Sequence, residues 1–133
     1  MVKLNKKILI LVVEDEVIIA RTLEERLMAE GFDVIKGSDG DEGLKLALSE
    51  HPDLILLDLL MPRVDGLTML KNLRGDSWGA GAAVIILTNV SDLNKVAEGM
   101  KAGLDGTYEY LVKSNWSLDE VVSKIKQKLE INI

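Results

Sequence analysis

A run of four apolar residues, Leu54-Ile55-Leu56-Leu57, stops on Asp58, and Pro62 with Asp65-Gly66 turns the chain just beyond. The run does not alternate with polar residues, so it does not suit a strand with one wet face. It suits a strand buried on both faces, as in the middle of a parallel sheet. A carboxylate at the end of such a strand is costly unless something pairs with it. Asp58 is therefore either a cap on the following loop or a functional group.

The rest of the chain repeats the pattern. Lys7 to Val13 is a second apolar strand and also stops on acids, Glu14-Asp15. Val17 to Glu30 carries Ile19, Ala20, Leu23 and Leu27 at helical spacing, with Glu24, Glu25 and Arg26 opposite and Gly31 placed to end the helix. Phe32 to Lys36 is a short strand. Asp39 with Glu42 predicts an N-cap for a helix whose inner face is Leu44, Ala47 and Leu48, and His51-Pro52-Asp53 breaks it.

After Asp58, Leu67, Leu70 and Leu73 mark a helix from Gly66 that closes at Gly75, and 75–82 is the most loop-like stretch. Ala83 to Leu87 is a fourth buried strand ending on Thr88-Asn89. Ser91 caps a helix with Val96, Ala97 and Met100, and Thr107 to Val112 is a fifth strand running into Lys113-Ser114. Ser117 with Glu120 is a capping box for a last helix with Leu118, Val121, Val122, Ile125 and Leu129 inward.

Strands that alternate with amphipathic helices require an α/β fold: one doubly wound, five-stranded parallel sheet with right-handed crossovers and helices on both faces. In such sheets ligands sit beyond the carboxyl ends of the strands. Glu14, Asp15, Asp58, Thr88 and Lys113 all fall at that edge.

Composition narrows the function. The net charge of -6 argues against a nucleic-acid binder, and no cysteine and a single histidine exclude thiolate and multi-histidine metal sites. No window is long and apolar enough to span a membrane, and the basic start lacks a cleavage site, so a cytoplasmic protein is expected.

Three carboxylates brought within about 5 Å repel, each pair by on the order of 3 kcal/mol at an effective dielectric near 20. A cation answers that cost, and all-oxygen ligation with room for water favours magnesium. Beside such an ion Asp58 can act as a nucleophile toward a phosphoryl group, with the Lys113 ammonium and the Thr88 hydroxyl on the phosphoryl oxygens.

These residues, Glu14-Asp15-Glu16, Asp58-Leu59-Leu60-Met61-Pro62 with Asp65-Gly66, Thr88, and Tyr110-Leu111-Val112-Lys113, resemble those of the receiver domains of two-component response regulators. The resemblance covers nearly the whole chain. It implies a single receiver domain over 1–133, like the one-domain chemotaxis regulators, with a flavodoxin-like strand order 2-1-3-4-5 in three α/β/α layers. It further implies that Asp58 is the phosphoacceptor and that Glu14, Asp15, Asp58 and the Leu60 backbone carbonyl hold Mg2+. Thr88 and Lys113 would contact the phosphoryl group, and Tyr110 would be the switch aromatic. The phosphoryl group would come from a phosphohistidine of a sensor kinase or phosphotransfer protein. Its arrival would change the surface made by the fourth helix, fifth strand and fifth helix, where partners dock.

The sequence departs from that family in places. Glu14 stands where aspartate is commoner, Asn89 where a small residue is usual, and Ser114 where proline with a cis bond is the norm. A non-proline cis bond costs about 3 kcal/mol, so the 113–114 bond is expected to be trans or strained. Leu60 and Val90 flank the site and cannot orient an attacking water, so slow self-dephosphorylation is expected.

His51 lies at the opposite end of the sheet from the acids and reads as a solvated loop residue. Trp78 and Trp116 lie near loops, and Trp116 reads as a packing residue. Lys124, Lys126 and Lys128 read as a solvated helix face. The chain is thus expected to be a signalling phosphoacceptor, not an enzyme with outside substrates, acting as a monomer or a phosphorylation-dependent dimer. One rival is a receiver-like docking or dimerisation module that works without phosphorylation. The other is a phosphatase with an aspartyl intermediate, which would place a second acid where this chain has Leu60.

Overall fold

The computed structural model describes residues 7–59, 66–88, 108–112 and 117–129, with backbone alone at 88, 108–110 and 112. Within them run β1 (Leu9–Val13), α1 (Val17–Ala29), β2 (Asp33–Gly37), α2 (Gly40–Glu50), β3 (Leu54–Asp58), α3 (Gly66–Arg74), β4 (Val84–Thr88), β5 (Tyr108–Val112) and α4 (Leu118–Lys128). The helix expected from Ser91 lies outside the described residues.

The strands form one parallel sheet in the order β2-β1-β3-β4-β5. Register aligns the strand ends: Val13 pairs with Gly37 and Leu57, Asp58 with Leu87, and Thr88 with Val112. The apolar runs are buried on both faces, as their lack of alternation requires. Leu11, Val13, Ile55, Leu57, Val84 and Ile86 pack on one side with Ala47 of α2 and Met69, Leu70 and Leu73 of α3. Ile10, Val12, Leu54, Leu56, Ile85 and Leu87 pack on the other with Leu23 and Leu27 of α1 and Val121, Val122 and Ile125 of α4. Each fully buried Val, Leu, Ile or Met among them contributes roughly 1.5–3 kcal/mol, so the sheet is fixed from both faces.

Local chemistry sets the helix ends. The Asp39 side chain accepts from Glu42 N at 2.9 Å, and Ser38 N donates to Glu42 Oε1 at 2.7 Å, so one amide in the first turn of α2 and one just ahead of it are satisfied. Ser117 Oγ accepts from Glu120 N at the start of α4. Beyond α1 the chain turns through Gly31 at φ +97, a conformation that side chains rarely adopt.

Four details differ from the sequence reading. Leu44 and Ala47 of α2 face the core as expected, Leu44 half-buried, but the fully buried positions are Gly40, Gly43 and Ala47, and Leu48 is 37% exposed. Gly43 leaves no room for a β-carbon beside Val13, so the helix seats low on its small residues and carries Leu48 outward. Lys126 is not on a solvated face: its ammonium lies 3.0 Å from Glu30 Oε1 with the side chain 18% exposed. His51, though exposed, takes a left-handed conformation and stacks on Trp78, with ring centroids 4.3 Å apart and planes 7° from parallel. Finally, the 75–82 stretch is ordered by two side chains and holds a 3-10 turn at Gly79–Gly81. Asp76 Oδ2 accepts from Trp78 N and Gly79 N, and Arg74 Nη1 donates to the carbonyls of Gly79 and Ala82. Burial lowers the Arg74 pKa, a shift that leaves so strong a base charged.

Candidate functional site

Two adjacent strands end side by side and deliver the acids. Because Val13, the last residue of β1, pairs with Leu57, the residues that follow them, Glu14 and Asp58, are brought to the same carboxyl edge. Glu14 N donates to Gly37 O at 3.0 Å, extending the β1–β2 ladder one residue past β1 and fixing where Glu14 leaves the sheet. Glu14 Oε2 in turn accepts from Glu16 N at 3.2 Å. Glu14 is 3% and Asp58 2% exposed, and Asp15 is more open to solvent.

One carboxylate oxygen from each of Glu14, Asp15 and Asp58 lies within 4.8 Å of the others. That is the separation at which like charges repel strongly, and at which a single small cation bridges them. The donors are all oxygen, and the lone histidine sits at the far edge of the sheet. The set therefore fits a hard divalent ion such as Mg2+, and does not fit one that prefers nitrogen or sulfur.

The remaining predicted residues divide by where they fall. Thr88 closes β4 one residue beyond Leu87, the partner of Asp58, so its backbone stands at the same edge; its side chain is outside the described set. The same holds for Tyr110, whose backbone pairs with Ile86 inside the sheet. Leu60, Lys113, Asn89, Val90, Ser114 and Trp116 lie outside the described residues.

Some neighbours of the acids were not legible from the sequence. A cleft beside Glu14 and Asp15 is lined by Val17, Ala20, Lys36, Gly37, Ser38 and Glu42. Lys36 is held there by Glu24, with Nζ 2.9 Å from Oε1. Val17 and the adjacent Ile18 are 74% and 81% exposed. Their signal was two apolar residues directly after the acids, hidden because they open a helix that looks amphipathic elsewhere.

A family model described as "response regulator receiver domain" matches residues 10–126. The chain is 40% identical over 120 residues to "Probable transcriptional regulator ycf27" of Porphyridium aerugineum, covering 90% of this chain and 47% of that one. It is 38% identical over 123 residues to "Alkaline phosphatase synthesis transcriptional regulatory protein PhoP" of Bacillus subtilis, covering 92% and 48% respectively. Among solved structures, the Francisella response regulator 1452 receiver domain superposes with a TM-score of 0.79 at 31% identity, over 93% of this chain and 98% of that one. A response regulator structure from Chloroflexus aurantiacus gives 0.82 at 29% identity, over 94% and 99%.

The chain belongs to the receiver domain family of two-component response regulators. Its fold is that family's flavodoxin-like parallel sheet, and its class is a signalling domain. The chain spans about half the length of the two transcriptional regulators it matches. No described helix is long and apolar enough to cross a membrane.

Proposed function

We propose that this chain is a phosphoacceptor switch, with Asp58 taking a phosphoryl group from a phosphohistidine of a sensor kinase or phosphotransfer protein. The observation that carries the reading is the convergence of the Glu14, Asp15 and Asp58 carboxylates within 4.8 Å. A carboxylate oxygen of Asp58 attacks phosphorus, the N–P bond breaks, and the leaving imidazole takes up a proton. The product is an acyl phosphate on Asp58. Glu14 and Asp15, with Asp58 and the Leu60 carbonyl, would hold Mg2+, which when bound supplies positive charge against the phosphoryl oxygens.

Thr88 and Lys113 take the roles of hydrogen-bond donor and cation toward those oxygens, and Tyr110 that of the aromatic that responds. The surface that changes is made by the segment from Ser91, β5 and α4, where a partner or a second copy docks. The relatives named as transcriptional regulators support an output in transcription for a protein that carries this domain.

Incubation with acetyl phosphate and Mg2+, read by intact mass, tests the reading. The expected result is a gain of one phosphoryl group that Asp58→Asn abolishes. An unchanged mass in the unaltered chain, with magnesium present, would favour a docking module that works without phosphorylation.

A further inference from the structure

We propose that Gly66 is a positioning residue for Asp58: the first residue of α3 lies so close to the Asp58 peptide that only a glycine lets the carboxylate reach Glu14 and Asp15. A β-carbon built on Gly66 overlaps the Asp58 carbonyl oxygen outright, and stands 2.8 Å from Leu59 Cα and 2.9 Å from the Asp58 carbonyl carbon. These are backbone atoms, so no side-chain rotation relieves the overlap. The approach is also tied, because Gly66 N donates to Leu59 O at 3.0 Å.

Neither side of the contact can retreat freely. Asp58 is clamped in register with Leu87 of β4, and α3 is anchored by Met69, Leu70 and Leu73, each fully buried. A methyl on Gly66 must therefore move the end of β3, and with it one member of a trio that spans only 4.8 Å. The inference rests on the reading of that trio as a magnesium-assisted phosphoacceptor site.

Gly79 provides a matched control. A β-carbon there likewise overlaps a backbone carbonyl oxygen, that of Leu73, but Gly79 follows α3 at the opposite edge of the sheet. Both Gly66→Ala and Gly79→Ala are expected to lower the melting temperature. The discriminating readout is the rise in melting temperature on adding Mg2+ alone, since a ligand that binds only the folded state stabilises it according to its affinity. Gly66→Ala should weaken Mg2+ binding by about tenfold or more while Gly79→Ala keeps the affinity of the unaltered chain.

Should Gly66→Ala fail to fold, Leu70→Ala is expected to loosen the anchor of α3 while leaving Gly66 and Asp58 unsubstituted, and Leu27→Ala, equally buried on the other face, is its control. Weaker Mg2+ binding in Leu70→Ala than in Leu27→Ala supports the role. Equal Mg2+ responses within the glycine pair, or within the leucine pair if that one is used, overturn it. A chain that gives no Mg2+ response before any substitution overturns the phosphoacceptor reading as well, which separates the two failures.

Discussion

Lys126 Nζ of α4 lies 3.0 Å from Glu30 Oε1, at the end of α1, and Glu30 Oε2 lies 3.1 Å from Arg26 Nε. Arg26 Nη2 reaches back to Asp119 Oδ1 at 2.6 Å, so four charged side chains join the last turn of α1 to both ends of α4. Hydrogen bonds from Lys126 and then Arg26 hold the Glu30 carboxyl below its ordinary pKa, and those to Asp119 and then Glu30 raise that of Arg26. A carboxyl depressed in the folded state contributes stability above its unfolded value near 4.5, and loses it as pH falls through the folded value. Urea unfolding of the unaltered chain and Glu30→Gln should therefore differ at pH 7, with the variant less stable. The gap should close as pH falls well below the ordinary carboxylate range. A gap that persists in acid contradicts the network's role.

The α2 register makes a second prediction. Leu70→Ala removes a fully buried side chain from the α3 core and is expected to cost about 2–5 kcal/mol. Leu48→Ala removes one that already meets water and should cost about 0.5 kcal/mol or less. Chemical denaturation compares them, and equal costs would return Leu48 to the core.

These contrasts show which parts of the structure can be read from the chain. Leu54–Leu57 and Val84–Leu87 announce buried strands because a parallel sheet covered on both faces admits no polar alternation. The caps at Asp39 and Ser117 were legible because their partners, Glu42 and Glu120, are three residues away. The acidic trio followed from topology, since parallel strands must end at one edge. What stayed hidden depends on distant partners. Lys126 and Glu30 are 96 residues apart, and His51 meets Trp78 only because two loops share the amino edge of the sheet. Nothing local in Gly66 says that its missing β-carbon makes room for the Asp58 carbonyl.

The phosphorylated state should be long-lived. Hydrolysis of an acyl phosphate needs a water aligned on phosphorus, and the residues two beyond Asp58 and two beyond Thr88 are Leu60 and Val90, which cannot hydrogen-bond one. After phosphorylation with acetyl phosphate and removal of the donor, decay of the phosphorylated mass should take minutes or longer. Leu60→Asn should shorten it several-fold. Complete loss within seconds in the unaltered chain would mean that another group orients the water.

The acidic trio is expected to trade stability for function. With no cation present, Asp15 repels both Glu14 and Asp58 at separations under 4.8 Å, and because it is the more open member water screens part of that cost. Asp15→Asn removes both repulsions while keeping the size of the side chain. In metal-free buffer it should raise the unfolding free energy by on the order of 1 kcal/mol. Millimolar Mg2+ should reverse the ranking. The unaltered chain gains stability from a cation bound by the folded state alone, whereas the variant, short of one ligand and one charge, gains little. Urea unfolding of both proteins with Mg2+ and with a chelator measures all four values. If Asp15→Asn destabilises the metal-free chain, the three carboxylates do not strain one another and their proposed role as a cation site loses its physical basis.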